Sequence, residues 1–374
     1  MSSLSRFYIH QPVFPVSLVM YQGVNYKEKE MIKKRNLDSS LIQWIMTVTG
    51  LGPGVGELVW VAPAASSSSQ FRTQLESNQG IEEDIQTTAT AAYAKLVNHR
   101  NDVMLVMPGA YDEAASIDWT KDNTHLIGLG GPNTRSDYSE KNVVIYTDTA
   151  AVDYTIHLTG DHCIFKNIGI NNAGANEGNF SPLYVNGYGN YFENVGLIGN
   201  MTAQQLADDD CASLHIGTNA HNCKWINCDI GEDCWGARSA AYSGQVSFIG
   251  SNPNGGLFQD CYFRSSSVTA TVAMITVYKG AAGTTHIGRG WVWKNCVFHN
   301  WGGSDAGSPT TLNQVFELDA TSGQGTTYPI LLHNCSAIGF DEWTDNDDPV
   351  KVYGTMPEAV DGGGLVKQLT DTVA

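Results

Sequence analysis

A chain of 374 residues in which 16% are charged and 39 are glycine has the composition of a turn-rich solenoid more than of a helical protein, and its length suits two average domains or one elongated repeat fold. No run approaches the ~20 apolar residues of a membrane-spanning helix. The net charge of −17 is uneven: residues 1–40 hold six basic against three acidic side chains, leaving 15 basic and 35 acidic in the remainder, so the body repels nucleic acid.

Residues 1–50 mix the rings of Phe7, Tyr8, Tyr21 and Tyr26 with Pro12 and Pro15 and with a basic run that includes Lys29, Lys33, Lys34 and Arg35. Proline interrupts helix and the rings need a surface to cover them, so an extended N-terminal arm that binds a partner through these residues is expected. The opening MSSLSRFYIHQPVFPV lacks the basic-then-apolar layout of a secretion signal, which implies synthesis in a cytoplasm. GLGPGVG at 50–56 is rich in glycine like a phosphate loop, but no Lys-Ser or Lys-Thr follows it, and it reads as a connector. ELVWV predicts a strand. From Ile81 to Arg100 the residues Ile85, Ala89, Ala92, Tyr93, Leu96 and Val97 share one helical face, which predicts a helix covering the open end of a solenoid. Residues 51–100 are therefore linker, strand and capping helix.

Beyond residue 100 one phrase recurs: Phe165-Lys-Asn167-Ile168, Phe192-Glu-Asn194-Val195, Trp225-Ile-Asn227-Cys228, Phe258-Gln-Asp260-Cys261, Trp293-Lys-Asn295-Cys296 and Leu332-His-Asn334-Cys335. The Asn or Asp returns after 27, 33, 33, 35 and 39 residues, the spacing of a unit that buries its apolar face only by stacking on its neighbours. Apolar residues alternate within each phrase, so the units are strands. Coils stacked at the ordinary strand spacing of about 4.8 Å would set the Asn side chains in a ladder at a left-handed turn. The same stacking would put Cys228, Cys261, Cys296 and Cys335 in one apolar column inside, where Ser would cost more than Ala. That column favours free thiols over disulfides, and with no CxxC or HExxH spacing present, no metal or other cofactor is expected. The coils occupy residues 101–340, and the acidic, turn-rich residues 341–374 suit a terminal cap or contact segment.

At VMPGAYDEAASIDW, followed by NTHLIGLGG, the chain resembles the opening coils of the pectin lyase-like superfamily, and the repeated phrases extend that likeness over roughly residues 100–340. The resemblance implies an all-β fold: a single-stranded right-handed parallel β-helix, here with an N-terminal extended arm and a capping helix. The superfamily holds polysaccharide lyases, pectin methylesterases and many phage virion proteins. Arm, cap helix and β-helix together look most like a bacteriophage virion protein, a capsid decoration or tail component. By analogy this implies a homotrimer in the virion, bound to a capsid or tail protein, with a host-surface glycan as a further partner and neither membrane nor nucleic acid.

An enzyme reading draws on the same resemblance. SGQVSFIGSNPNGGLFQDCYF is similar to the methylesterase block around the catalytic nucleophile, with echoes in DCASLHI, GEDCW and HIGRGW. Position by position this puts Asp233 at the acid/base Asp, Arg289 at the Arg, Ser247 at the nucleophilic Asp and Asp210 at a Gln. A Ser cannot stand in for that carboxylate without a base beside it, and no His is near in sequence. Independently of the family, Asp208, Asp209, Asp210, Glu232 and Asp233 could pair carboxylates for glycoside hydrolysis, with Trp235, Trp301 and Trp343 as sugar platforms, while lyase chemistry, which wants clustered Asp for calcium plus a basic residue, would find that residue in Arg238. Acidic loops also serve simply to keep a solenoid soluble, and a structural protein with no catalytic residue is the expectation.

Overall fold

The computed structural model describes residues 56–64, 85–132, 142–175, 180–199, 201–231, 237–241, 243–277, 287–300, 310–318, 330–344, 350–353 and 365–366. They belong to one compact unit, Asp38–Ala374. The chain is a right-handed parallel β-helix. Short strands pair in parallel with the equivalent strand one coil away, forming among the described residues a large sheet A of 19 strands and a sheet B of eight. One coil runs from Leu214–Ile216 in sheet B to Lys224–Ile226 and Asp229–Gly231 in sheet A, then returns to sheet B at Val246–Phe248. Parallel neighbours joined by such crossovers take the right-handed sense.

The recurring phrase supplies the interior. Phe165, Phe192, Trp225, Phe258, Trp293 and Leu332 stand in register on successive coils, all fully buried. Their rings stack at 5.5, 5.2, 4.5 and 5.5 Å from Phe165 to Trp293. Each phrase then turns through its Asn or Asp at φ between 53° and 56°. Only residues with short polar side chains, or glycine, enter that left-handed region readily. Amide groups bridge the turns, from Asn194 to Asn167 at 2.8 Å, from Asn295 to Asp260 at 2.9 Å and from Asn334 to Asn295 at 3.0 Å.

The four cysteines also align as expected, and the seven described cysteines are all free and buried. Each thiol of the column reaches a carbonyl oxygen of the preceding coil, Cys261 that of Trp225 at 3.4 Å and Cys335 that of Trp293 at 3.2 Å. Cys261 also meets the Gln259 oxygen at 3.3 Å. The position is therefore not purely apolar, because a serine hydroxyl there would find acceptors, and the expected penalty for Ser over Ala shrinks. Burial pushes the Cys261 thiol well above its ordinary value, which keeps it protonated and inert.

At the N-terminal end the sheets begin before residue 101. Leu58–Val61 already pairs with Val103–Val106, and strands continue past residue 340 to Leu365–Val366. The helix is shorter than its apolar pattern suggests, Ala89–Lys95. Ile85 instead pairs in sheet A with Trp60, and Val97 is 45% exposed. Two buried carboxylates set these limits. Glu113 receives the amides of Ala89 and Thr90 at the start, while Asp102 receives those of Glu57 and Val97 after the end. Gly56 lies so close that a β-carbon on it would stand 2.2 Å from the Asp102 carboxylate. Ala89, Ala92 and Leu96 close the core from this side.

Candidate functional site

The outer face of sheet B carries one register row of polar side chains: Asp118, His157, Tyr184, His215, Ser247, Thr276 and Glu317 on successive coils. Alternation puts these residues outside, because their neighbours Ile156, Leu158, Leu214, Ile216, Val246 and Phe248 fill the core. The row is open at one end and closed at the other. The side chains of Asp118 and His157 are 72% and 31% exposed, whereas His215, Ser247, Thr276 and Glu317 are buried.

The segment that closes the row at His215 is the acidic loop. A short helix, Ala203–Leu206, starts in a capping box made by Thr202 and Gln205 and leads into Asp208–Asp210. The Asp210 carbonyl oxygen takes His215 Nε2 at 3.0 Å. Arg238, fully buried, donates to the carbonyl oxygens of Asp208 and Cys211 and to Ser243 Oγ at 2.6 Å. The basic group expected near the acids is thus present, but it holds the loop's backbone from beneath. Burial depresses His215 to about 4, so it is neutral at ordinary pH. The three carboxylates converge, with ligand atoms within 4.8 Å of one another. Burial, then repulsion from Asp209 and Asp208, raises the Asp210 carboxyl above the usual range.

The residues singled out in the sequence separate into three groups. Asp208, Asp209 and Asp210 come together on the loop that precedes strand Leu214–Ile216. Arg289 does not join them: it lies in a turn after strand Ile275–Val277, at the opposite edge of sheet B and two coils on, with its amide on Asn254 Oδ1 at 3.0 Å. Trp343 is no sugar platform, being 3% exposed and packed edge-on against Phe298 at 5.9 Å. Glu232, Asp233, Trp235 and Trp301 lie outside the described residues, as do all the arm residues, Phe7, Tyr8, Tyr21, Tyr26, Lys29, Lys33, Lys34 and Arg35.

Ser247 does have a histidine beside it, which sequence distance hides. His215 is its register neighbour one coil away. The pair is not a nucleophile with its base, however. His215 Nε2 is spent on the Asp210 carbonyl, its Nδ1 has no hydrogen-bond partner among the described residues, and Ser247 is only 5% exposed. The sequence reading also missed Tyr154, His157 and Tyr184, whose rings meet on the open part of the row. The alternation in YTIHL and PLYV marks His157 and Tyr184 as outward without saying that they adjoin, and it gives no signal for Tyr154, which shares the parity of the core residues Ile156 and Leu158.

No family model matches the sequence, and no curated protein does. Among solved structures, the pectin methylesterase PemA from Erwinia chrysanthemi is similar at 14% identity over 84% of this chain and 94% of that one, with a TM-score of 0.49. Pectate lyase Pel9A is similar at 15% identity over 85% and 80%, with a TM-score of 0.47. ORF18 of Geobacillus virus E2 is similar at 11% identity over 71% of this chain and 56% of that one, with a TM-score of 0.35. The parallel β-helix itself is read from this chain's own strand pairing.

Proposed function

We propose that the chain is a structural virion protein of a bacteriophage, a capsid decoration or tail β-helix attached through residues 1–50 and assembled as a homotrimer in particles formed in the host cytoplasm. The observation that carries this reading is the closure of sheet B over Ser247. The place where esterase chemistry would stand is buried, and the one histidine in register with it is neutral and turned to a backbone carbonyl. A body of that kind presents stable walls, and its arm, of opposite charge and rich in rings, is the part built to bind. Segments of such composition recover the entropy lost on ordering by burying their rings on a partner.

The test is deletion of residues 1–37, which leaves the compact unit that begins at Asp38. The expected result is unchanged β-sheet circular dichroism and melting with loss of incorporation into particles. Normal incorporation of the truncated chain would refute attachment through the arm. A second reading, a tailspike-like depolymerase or another carbohydrate-active β-helix protein, is favoured by one observation: Asp210 is pushed toward holding a proton beside two further carboxylates, the asymmetry that acid catalysis of glycoside cleavage uses. Release of reducing ends from host-surface glycans, abolished in Asp210→Asn, would establish it.

A further inference from the structure

We propose that the apolar outer face of sheet A on its first coils is the seat of the chain's own segment Leu41–Val48, docked there as a short amphipathic helix. The inference goes beyond attachment through the arm and stands without it, since it concerns the compact unit that begins at Asp38 and leaves residues 1–37 for a partner. Along the strands Leu58–Val61, Val103–Val106, His125–Gly128 and Ile164–Asn172, the side chains of Val59, Met104, Leu126 and Phe165 fill the core. The alternate positions face outward, and most are apolar: Leu58, Trp60, Val103, Leu105, Ile127 and Ile164 belong to a second hydrophobic cluster, separate from the core. One coil further on the same two register rows turn polar, with Tyr191 then Lys224 in one, and Lys166 then Glu193, paired at 2.7 Å, in the other.

Burial shows that something lies over this face. Outward apolar residues further along sheet A, such as Ile226, Leu257, Val292 and Leu331, stay partly exposed although each is flanked by strand neighbours. Val103 and Ile127, with the same kind of neighbours, are at 0%, and Leu105 is at 3%. Every member of the cluster among the described residues lies in sheet A or, as Leu129, in the turn that continues it. An apolar layer over them therefore has to come from another part of the chain. The segment before the first strand has the pattern, the length and the tether for it. Six of the eight residues in LIQWIMTV are apolar, and Leu41, Trp44, Ile45 and Val48 recur at helical spacing. Ser40 and Gln43 stand at the spacing of a capping box, Gly50 and Pro53 follow as stop signals, and the helix-interrupting Pro12 and Pro15 come earlier. A helix of about nine residues is about 13 Å long. The apolar face, from the coil of Leu58 to that of Ile164, spans three strand spacings, about 14 Å. The chain enters sheet A at Gly56, whose amide meets the Asn101 oxygen at 2.8 Å beside the Val103 strand. Residues 50–55 reach about 20 Å when extended, enough to bring the helix back over Leu58 and Trp60. The stretch that follows the first strand, 65–84, offers only Phe71, Leu75 and Ile81 as large apolar side chains, among four consecutive serines and four acids.

Photo-crosslinking and a coupling cycle on the full chain test this. With Trp44 replaced by p-benzoylphenylalanine, irradiation should join position 44 to peptides of the same chain that carry Trp60, Leu105 or Ile127, identified by mass spectrometry. The same probe at Phe71 should give none of these products. Trp44→Ala and Leu105→Ala should each lower the melting midpoint by about 4 °C or more. The double variant should fall by clearly less than the two shifts combined, because both substitutions remove one shared contact. Cross-links between chains would assign the face to a second copy, and cross-links from position 71 would assign it to residues 65–84; either overturns the proposal. So would the lack of a cross-link from position 44 to those peptides, a midpoint unmoved by Trp44→Ala, or additive shifts. None of these readouts involves particles, so failure here leaves the incorporation test untouched.

Discussion

An asparagine at φ near +55° does two things at once in this protein, and they can be separated at Asn295. Its backbone enters the left-handed region at 53°, and its amide donates to Asp260 while its own oxygen receives Asn334. Asn295→Gly should remove only the ladder bonds, costing about 1–2 kcal/mol. Asn295→Ala should add the strain of a β-carbon at positive φ, about 1 kcal/mol more, so the order of urea midpoints should be wild type, Gly, Ala. Equal midpoints for Gly and Ala would mean the backbone there is relaxed. This ladder was legible because Asn sits at one position in five of six phrases. A second left-handed column was not: His99, Asn123, His162, Gly189, Asn222, Gly255 and Gly290, with φ from 51° to 79°. It links coils through bonds such as Asn222 N to Asn254 O at 2.8 Å and Gly255 N to Arg289 O at 2.9 Å. Three residue types share that column, so no repeated letter betrays it.

At the scale of one element, the helix Ala89–Lys95 shows how far a pattern can mislead. Six residues fall on one helical face, but a helix of seven residues cannot stand by propensity alone, and its ends are decided by partners distant in sequence. Glu113 is the main one. Buried, it accepts Ala89 N at 2.6 Å, Thr90 N at 3.2 Å and Thr90 Oγ1 at 2.6 Å. Replacing Glu113 by Ala leaves those donors unmet and should cost about 2–4 kcal/mol in urea unfolding, whereas Glu113→Gln, which keeps an acceptor, should cost roughly half as much. Similar losses in the two variants would show that the carboxylate's charge, and not its oxygens, anchors the helix. Tyr93 lies over Trp119 at 4.7 Å, so the same substitutions should loosen the first turn of the core.

Over the whole molecule, stability should fall below pH 6.5, because His125 and His215 are buried and depressed to about 4. Above their ordinary value both are neutral, folded or unfolded, and contribute nothing. Below it the unfolded chain takes up protons that the folded chain refuses, a loss of about 1.4 kcal/mol per histidine by pH 5.5. Asp210, raised in the fold, works against this loss as the pH falls further. Comparing urea midpoints at pH 7.5 and 5.5, still above the isoelectric point near 4.8, should show the drop, and His215→Gln should roughly halve it. A pH-independent midpoint would mean these histidines open to water. Amino-acid order alone determined the coil, since a phrase repeated every 27 to 39 residues, alternating inside and outside and turning on Asn, can bury its rings only by stacking in parallel. It could not say which outward residues meet. His157 and Tyr184 are 27 residues apart, and His215 and Ser247 are 32 apart, so their contact is a property of register between coils. Whether an outward position is open like Asp118 or sealed like Ser247 depends on where the long turns fold back. That is settled by packing among loops with no repeat of their own, and it is why the sequence disclosed the solenoid while only the tertiary structure disclosed its accessible face.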